Sequence, residues 1–241
     1  MKAIILAGGH GTRLPEAAKD KPKALVEVGG KPIIQHQIEH LMRHAFYDIR
    51  LALGYKAEQI VDWLGIFQKE HSAFDNGKLK TDYVIEPEKL DTGGAIKFAA
   101  KDLNEPFMVL NGDILSDINF SNFYKKFKKS PLENIIAVFH TKDASSYGII
   151  NKDKEKILEF LEKPGYSTPG HINAGFYILS PETIKNAEGK VFSIERDIFP
   201  KAARDGRVGF YLHRGFWTDA GTEERLEEVR KYFESLSGQK H

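Results

Sequence analysis

The chain has no cysteine among its 241 residues. That absence removes a disulfide scaffold, a thiolate zinc site and a cysteine nucleophile together. It also lacks an excess of either charge: 35 Lys and Arg stand against 34 Asp and Glu, a formal net charge of +1. No global field is available to attract a nucleic acid or an anionic membrane, so neither partner is expected and any anion site must be local. No run approaches the roughly 18 apolar residues of a membrane helix. The first one, Ala3 to Ala7, is broken by glycines at once and is too short for the core of a signal peptide. A cytoplasmic protein is expected. Internal repeats, low-complexity tracts and Pro/Ser linkers are missing as well, and 41% hydrophobic residues suffice for a sizeable core. One domain spanning residues 1–241 is expected.

What is present is an alternation of two periods. "KAIILA", "DIRLALGY", "KTDYVIE" and "PFMVLNGD" read as strands, and "GKPIIQHQIEHLMRHAF", "KAEQIVDWLGIF" and "GGAIKFAAKDL" as helices between them. Pro32 stands at a plausible first helical position, with Ile34, Ile38, Leu41, Met42 and Ala45 at helical spacing behind it. The alternation predicts an α/β fold, a Rossmann-like, mostly parallel central sheet flanked by helices. Beyond about residue 130 the strands "NIIAVFHT", "YGIINKD", "KILEFLEKP" and "HINAGFYILS" crowd together, which predicts a mixed or antiparallel extension. A helical "SIERDIFPKAARDG", a strand "RVGFYLHRG" and an amphipathic helix from Thr222 to about Leu236 follow.

The opening "MKAIILAGGHGTRLPEAAKDKPKAL" sets three glycines and a Thr-Arg pair directly after a strand. A dinucleotide fingerprint G-x-G-x-x-G fails, because the third glycine would fall on Leu14, and no P-loop string occurs. Glycines without Cβ atoms let backbone N–H groups approach a polyphosphate. Arg13 offers a planar fork for its oxygens and Lys23 a point charge. The alternative is a tight strand-to-helix turn with surface charges, and spacing alone does not choose between them. Asp113 and Asp219 are equally open as turn or cap residues. The nine histidines read as surface residues: His36 and His40 have a metal-pair spacing but lack the glutamate of a zincin helix. Trp63 and Trp217 read as core.

Beyond the loop, "LAGGHGTRL…KPKAL" resembles the signature of the sugar-1-phosphate nucleotidyltransferases, L-A-G-G-x-G-T-R-L followed by P-K-P-L. "LDTGGAI" at 90–96 resembles the family's nucleotide loop, and "VLNGD" at 109–113 its metal-aspartate strand end. "YGII", "EFLEKP" and "INAGFYILSPE" resemble its sugar-site strands, and "GFWTDAGTEE" its second metal aspartate. These segments keep the family's order over nearly the whole chain.

The resemblance implies a GT-A-like nucleotidyltransferase domain, with residues 1–130 binding nucleotide and 131–241 binding sugar phosphate. It implies transfer of a nucleotidyl group from a nucleoside triphosphate to a sugar-1-phosphate, giving a nucleotide sugar and pyrophosphate. The attacking oxygen belongs to the substrate, so no covalent protein nucleophile is needed. Arg13, Lys23, Asp113 and Asp219 are implied as catalytic, the two aspartates holding Mg²⁺. Leu6, Ala7, Gly8, Gly9, Gly11, Thr12, Arg13, Glu86, Thr92, Gly93 and Gly94 are implied for the nucleotide. Asn111, Tyr147, Gly148, Glu162, Lys163 and Asn173 are implied for the sugar phosphate.

Gly94, where thymidylyl- and uridylyltransferases often carry Gln or His, and Glu86, an acceptor for guanine N–H donors, resemble the guanylyltransferases and favour GTP. "PEAAKDKPKAL" in place of the usual R-P-L-T continuation resembles the heptose-1-phosphate more than the mannose-1-phosphate guanylyltransferases. A uridylyltransferase acting on an amino-sugar 1-phosphate and a catalytically silent, nucleotide-sugar-binding paralogue stay open. A homo-oligomer stays open too, and no C-terminal β-helix is expected. A dinucleotide-dependent oxidoreductase is disfavoured by Leu14.

Overall fold

The computed structural model describes residues 1–9, 20–75, 77–161 and 165–237. From β1 (Ala3–Ala7) the chain enters a short hairpin, β2 (Glu27–Val28) and β3 (Lys31–Pro32), then α1 (Ile33–Arg43). β4 (Asp48–Leu53), α2 (Ala57–Glu70), β5 (Lys80–Ile85), α3 (Asp91–Ala99), β6 (Phe107–Asn111) and β7 (Ile114–Ser116) follow. Next come α4 (Phe120–Lys129), β8 (Asn134–Thr141), β9 (Ile149–Lys152), β10 (Ile157–Leu161) and β11 (Gly170–Leu179). The last elements are α5 (Pro181–Lys185), a π-turn over Ile194–Ile198, α6 (Phe199–Arg204), β12 (Val208–His213), β13 (Trp217–Asp219) and α7 (Glu223–Ser237). This is the expected α/β fold with flanking helices. Among the described residues no helix is long and apolar enough to cross a membrane.

The contacts gather into two compact units, each assembled from separated stretches of chain. One comprises Lys2–Lys89, Asn111–Asp117 and the chain from Phe216 onward. Its strands β1, β4 and β5 pair in parallel, Ala3 beside Ile49 and Asp48 beside Lys80. β1 and β4 are almost wholly buried, which is why their sequences read as unbroken apolar runs. α1 buries Ile33, Ile34, Gln37, Ile38 and Leu41, and each fully buried aliphatic side chain contributes about 1.5–3 kcal/mol. Pro32 caps this helix one residue earlier than its expected place inside it.

The β2–β3 hairpin was hidden in the sequence because each strand is two residues long. Gly29 and Gly30 make its loop with φ of 56° and 78°, the pair of left-handed residues that a two-residue hairpin turn demands. Val26, Val28 and Ile33 pack there with Leu115, Ala220, Leu226 and Val229, flanked by Phe216 and Phe233. Helix α7 is thereby docked beside the hairpin, and β13 pairs antiparallel with β7, Asp219 opposite Ile114.

The other unit holds Leu90–Leu110 and Ile118–Gly215. Its axis is the long strand β11. β8 runs antiparallel along β11, and β12 adds to β8 in parallel. β9 and β6 also pair antiparallel with β11, at Ile172 and over Phe176–Leu179 respectively, and β10 extends β9. The mixed pairing is what the crowded strands beyond residue 130 predict. β11 is irregular in one place: between Asn173 and Tyr177 its register against β8 shifts, and Gly175 there has φ of 73°. Histidines among the described residues depart from the surface expectation. His213 on β12 is only 6% exposed, and His36 is half-buried on α1.

His36 makes a pH-dependent contact in the first unit. Its Nε2 donates to the Val28 carbonyl at 2.7 Å, and its ring lies 4.2 Å from that of Phe233. Burial is the main effect on its pKa and lowers it from the ordinary 6.5, although the Val28 carbonyl and Glu39 pull the other way. The folded state therefore holds a neutral ring where the unfolded chain takes up a proton, so stability is lost as pH falls below about 6.5. His44 and His171 are lowered by burial too and act with the same sign. Thermal unfolding followed from pH 7.5 to 5.5 should show the melting temperature falling, and less steeply for His36→Gln. An equal slope in the variant would exclude the ring as a contributor.

Candidate active site

In the first unit the end of β1 and the turn after β6 are locked by a close backbone approach. Gly112 N donates to the Leu6 carbonyl at 3.0 Å, and a Cβ on Gly112 would stand 2.3 Å from that oxygen. Only glycine fits there, which explains the middle residue of "NGD". Two further contacts fix the same turn. Gln37, 4% exposed on the buried face of α1, donates from Nε2 to the carbonyls of Asn111 and Ile114 at 2.9 and 2.7 Å. Ala220 N donates to the Asp113 carbonyl at 2.7 Å. Asp113 thus projects from a turn held to β1, to α1 and to the segment after β13.

Lys23 reaches this aspartate. Pro22 precedes a single 3-10 turn, Lys23–Leu25, and the Lys23 Nζ lies 2.5 Å from Asp113 Oδ2, the lysine side chain 11% exposed and the aspartate 34%. Asp219 ends β13, 8% exposed. Its Oδ1 accepts from Gly221 N at 2.9 Å, and Arg225 Nη1 bonds both carboxylate oxygens at 2.8 and 2.6 Å. Arg225 sits in the first turn of α7, where its sequence setting, "EERLEEVR", looks like an ordinary amphipathic helix. The antiparallel pairing that sets Asp219 opposite Ile114 puts the two aspartates at one end of the β7–β13 ribbon.

The nucleotide residues expected in this unit also meet. A Cβ on Gly8 would stand 2.8 Å from Glu86 Oε1 and 3.3 Å from Gly54 N. The backbone after β1 therefore runs directly beside the Glu86 carboxylate. Leu6 and Ala7 end β1, and Gly9 follows Gly8 with open space around it. Gly11, Thr12, Arg13, Glu162 and Lys163 lie outside the described residues.

In the second unit Thr92, Gly93 and Gly94 occupy the first turn of α3. Both glycine amides donate to the Phe192 carbonyl, at 2.9 and 3.2 Å. A Cβ on Gly93 would stand 2.3 Å from the Phe192 ring, and one on Gly94 2.2 Å from the Lys190 carbonyl. Their smallness lets the segment at 190–192 lie against the helix start. Asn173 sits at the β11 irregularity, where its Oδ1 accepts from Gly175 N at 2.8 Å and its Nδ2 donates to the Tyr177 hydroxyl at 2.9 Å. Register shifts of this kind re-aim a side chain out of the regular ladder. Tyr147 and Gly148 lead into β9, and Gly148 lies beside the Leu161 carbonyl at the end of β10. A residue missed in the sequence, Glu195 on the π-turn, bonds Thr92. It was masked by the charged helical pattern of "SIERDIFP".

The cation–carboxylate cluster suits phosphate chemistry. Two carboxylates are the hard oxygen ligands that Mg²⁺ takes when it keeps its other positions for water and phosphate oxygens. Among the described residues no group of three His, Cys, Asp or Glu could hold a metal ion, so a dedicated protein cage is not what this end of the ribbon offers.

The sequence model of the family described as Nucleotidyl transferase matches residues 2–235. The chain is 37% identical over 228 residues to a mannose-1-phosphate guanyltransferase of Emericella nidulans, covering 92% of this chain and 61% of that protein. It is 35% identical to a mannose-1-phosphate guanylyltransferase catalytic subunit beta of Dictyostelium discoideum, covering 98% and 66%. The chain thus spans about three-fifths of the length of the first of these, the 61% just given. Among solved structures, HddC from Yersinia pseudotuberculosis complexed with GMP-PN superposes with a TM-score of 0.81 at 32% identity, covering 96% of this chain and 99% of that one. A putative glucose-1-phosphate thymidylyltransferase from Bacillus anthracis superposes with a TM-score of 0.84 at 24% identity, covering 96% and 94%, a likeness of fold.

Removing Arg225 should leave Asp219 a buried charge without its fork. Breaking a buried pair from one side costs about 3–5 kcal/mol, so Arg225→Ala should lose that much in denaturant unfolding. Arg225→Ala combined with Asp219→Ala should lose less than the single variant. Equal losses would mean that the fork carries no charge compensation.

Proposed function

Because this chain belongs to the nucleotidyl transferase family, we propose that it transfers GMP from GTP to a manno-configured sugar-1-phosphate, releasing pyrophosphate. The observation that carries this reading is the Lys23–Asp113 contact at 2.5 Å at the ribbon end that also bears Asp219. A cation and two hard carboxylates are what a reaction between two phosphates requires. The guanine preference draws support from the mannose-1-phosphate guanyltransferase relatives, from the guanine nucleotide bound to HddC, and from Glu86 beside Gly8. We place the reaction in the cytoplasm.

The chemistry is a direct displacement. An oxygen of the sugar phosphate forms a bond to the α-phosphorus of GTP, the bond from that phosphorus to the β-bridging oxygen breaks, and pyrophosphate leaves with the electron pair. Both reactants are anions, and two unit charges 4 Å apart repel by about 4 kcal/mol at an effective dielectric of 20. Lys23 is assigned to offset this repulsion: its ammonium, beside Asp113, would bind the α-phosphate and the incoming phosphate together. Asp113 and Asp219 would hold Mg²⁺, which when bound neutralises phosphate oxygens and keeps them in line.

Arg13 and the loop Gly8, Gly9, Gly11 and Thr12 are assigned to the β- and γ-phosphates on their sequence pattern. Leu6, Ala7 and Glu86 are assigned to the base and ribose, and Thr92, Gly93 and Gly94 shape the nucleotide loop. Asn111, Tyr147, Gly148, Glu162, Lys163 and Asn173 are assigned to the sugar phosphate.

The test is pyrophosphate release with Mg²⁺, pairing GTP, UTP, CTP, ATP and dTTP with mannose-, heptose- and amino-sugar 1-phosphates. Release confined to GTP with a manno-configured acceptor is expected. Selectivity for UTP with an amino sugar would move the assignment to a uridylyltransferase, and silence from a folded protein that binds a nucleotide sugar would make it a regulatory paralogue. Lys23→Ala and Asp113→Ala should each lower turnover at least ~100-fold, the scale of removing one preorganised electrostatic group, while staying folded by circular dichroism. Near-normal turnover in either would remove that residue from the mechanism.

A further inference from the structure

Thr92 and Asn173 lie far apart in the sequence and belong to different segments of the proposed site, one to the nucleotide loop and one to a sugar strand. Glu195 joins them. Its Oε2 accepts from Thr92 Oγ at 2.5 Å and from Ser193 Oγ at 2.9 Å, and its Oε1 accepts from the Tyr177 hydroxyl at 3.3 Å. Tyr177 is fully buried and Ser193 is 3% exposed. Three hydroxyls thus converge on one carboxylate.

An ionised carboxylate only accepts, so each hydroxyl that meets it must give up its proton direction to it. The consequence passes along a chain of bonds. With its hydrogen on Glu195, the Tyr177 hydroxyl can only accept from Asn173 Nδ2, at 2.9 Å. The Asn173 oxygen is then the atom that takes Gly175 N, at 2.8 Å, so the orientation of the amide is set without ambiguity. Thr92 Oγ, its hydrogen also on Glu195, accepts from Ile194 N at 3.1 Å. What remains for a ligand is defined: one N–H and one oxygen lone pair on Asn173, and one lone pair on Thr92.

We propose that Glu195 is a positioning residue that couples Thr92 to Asn173, so that the nucleotide loop and the sugar strand take up their binding geometry together. The proposal rests on the guanylyl-transfer reading for its kinetic consequence, but the coupling itself belongs to the fold. Glu195→Gln keeps the shape and replaces one acceptor oxygen by an N–H₂ donor. In either orientation of the new amide at least one hydroxyl loses its acceptor and must turn away. The disturbance then reaches Asn173 through Tyr177, or Thr92 directly.

Two measurements test it. In kinetics, Glu195→Gln should raise KM for both GTP and the sugar-1-phosphate by about 10-fold, the scale of losing one hydrogen bond to a charged group. Its melting temperature should stay within a few degrees of wild type. Unchanged KM values in an active, folded variant would overturn the proposal, as would a loss of stability with no change in either KM. In NMR, the Asn173 side-chain amide signals should shift on Thr92→Val in the wild-type background and stay still when the same change is made in Glu195→Gln. Indifference of Asn173 to Thr92 in both backgrounds would overturn the coupling. Because this arm needs no turnover, a protein silent on every substrate pair would sink the assigned reaction while the amide shifts still judge Glu195.

Discussion

The approach of Gly112 to the Leu6 carbonyl is the constraint on which the placement of Asp113 depends. At 3.0 Å from nitrogen to oxygen, two backbones touch where any side chain would intervene. That contact determines where the turn stops, and so where Asp113 begins. Gln37 from α1 and Ala220 from beyond β13 then grip the same turn by backbone groups. The side chain of Asp113 is left to face Lys23. A carboxylate gains little from being charged unless its position is stiff. Here the stiffness comes from bonds that involve no charge at all.

The same division of labour recurs on the opposite strand of the ribbon. Asp219 is buried, and burial alone would make its charge expensive. The Arg225 fork and the Gly221 amide compensate it. Asp113 is more exposed and has a single flexible lysine. The two aspartates therefore stand in different electrical settings, one clamped by a rigid guanidinium and one by a point charge on a mobile stem. Of the two, the lysine holds its aspartate through a single oxygen.

Much of this was legible in the sequence, and the reasons are specific. β1 and β4 announced themselves as buried apolar runs, and "NGD" and "TDAG" marked the ends of strands. Lys23 was legible through the resemblance of "KPKAL" to the family's P-K-P-L, not from its spacing behind the glycine loop. Gln37 was not, because it sits within an apolar stripe whose period it does not break. Arg225 and Glu195 were hidden by abundance: each lies in a run of charges in which nothing singles one residue out until the fold brings its partner near. The glycines of "TGG" were legible as important but not for the reason found in the fold, where Phe192 and Lys190 occupy the space that side chains would need.

The fork between Arg225 and Asp219 has a consequence for how the protein comes into being. Asp113 is made midway along the chain, whereas the arginine that neutralises the second aspartate belongs to α7, and α7 is seated by the β2–β3 hairpin made near the start. During synthesis β1, β4 and β5 emerge well before this pair, and Asp219 gains the Arg225 contact only once α7 has emerged and docked. The Arg225–Asp219 pair is therefore completed only when α7 is in place. A chain interrupted before α7 would lack both the guanidinium that meets Asp219 and the apolar face that packs on the hairpin.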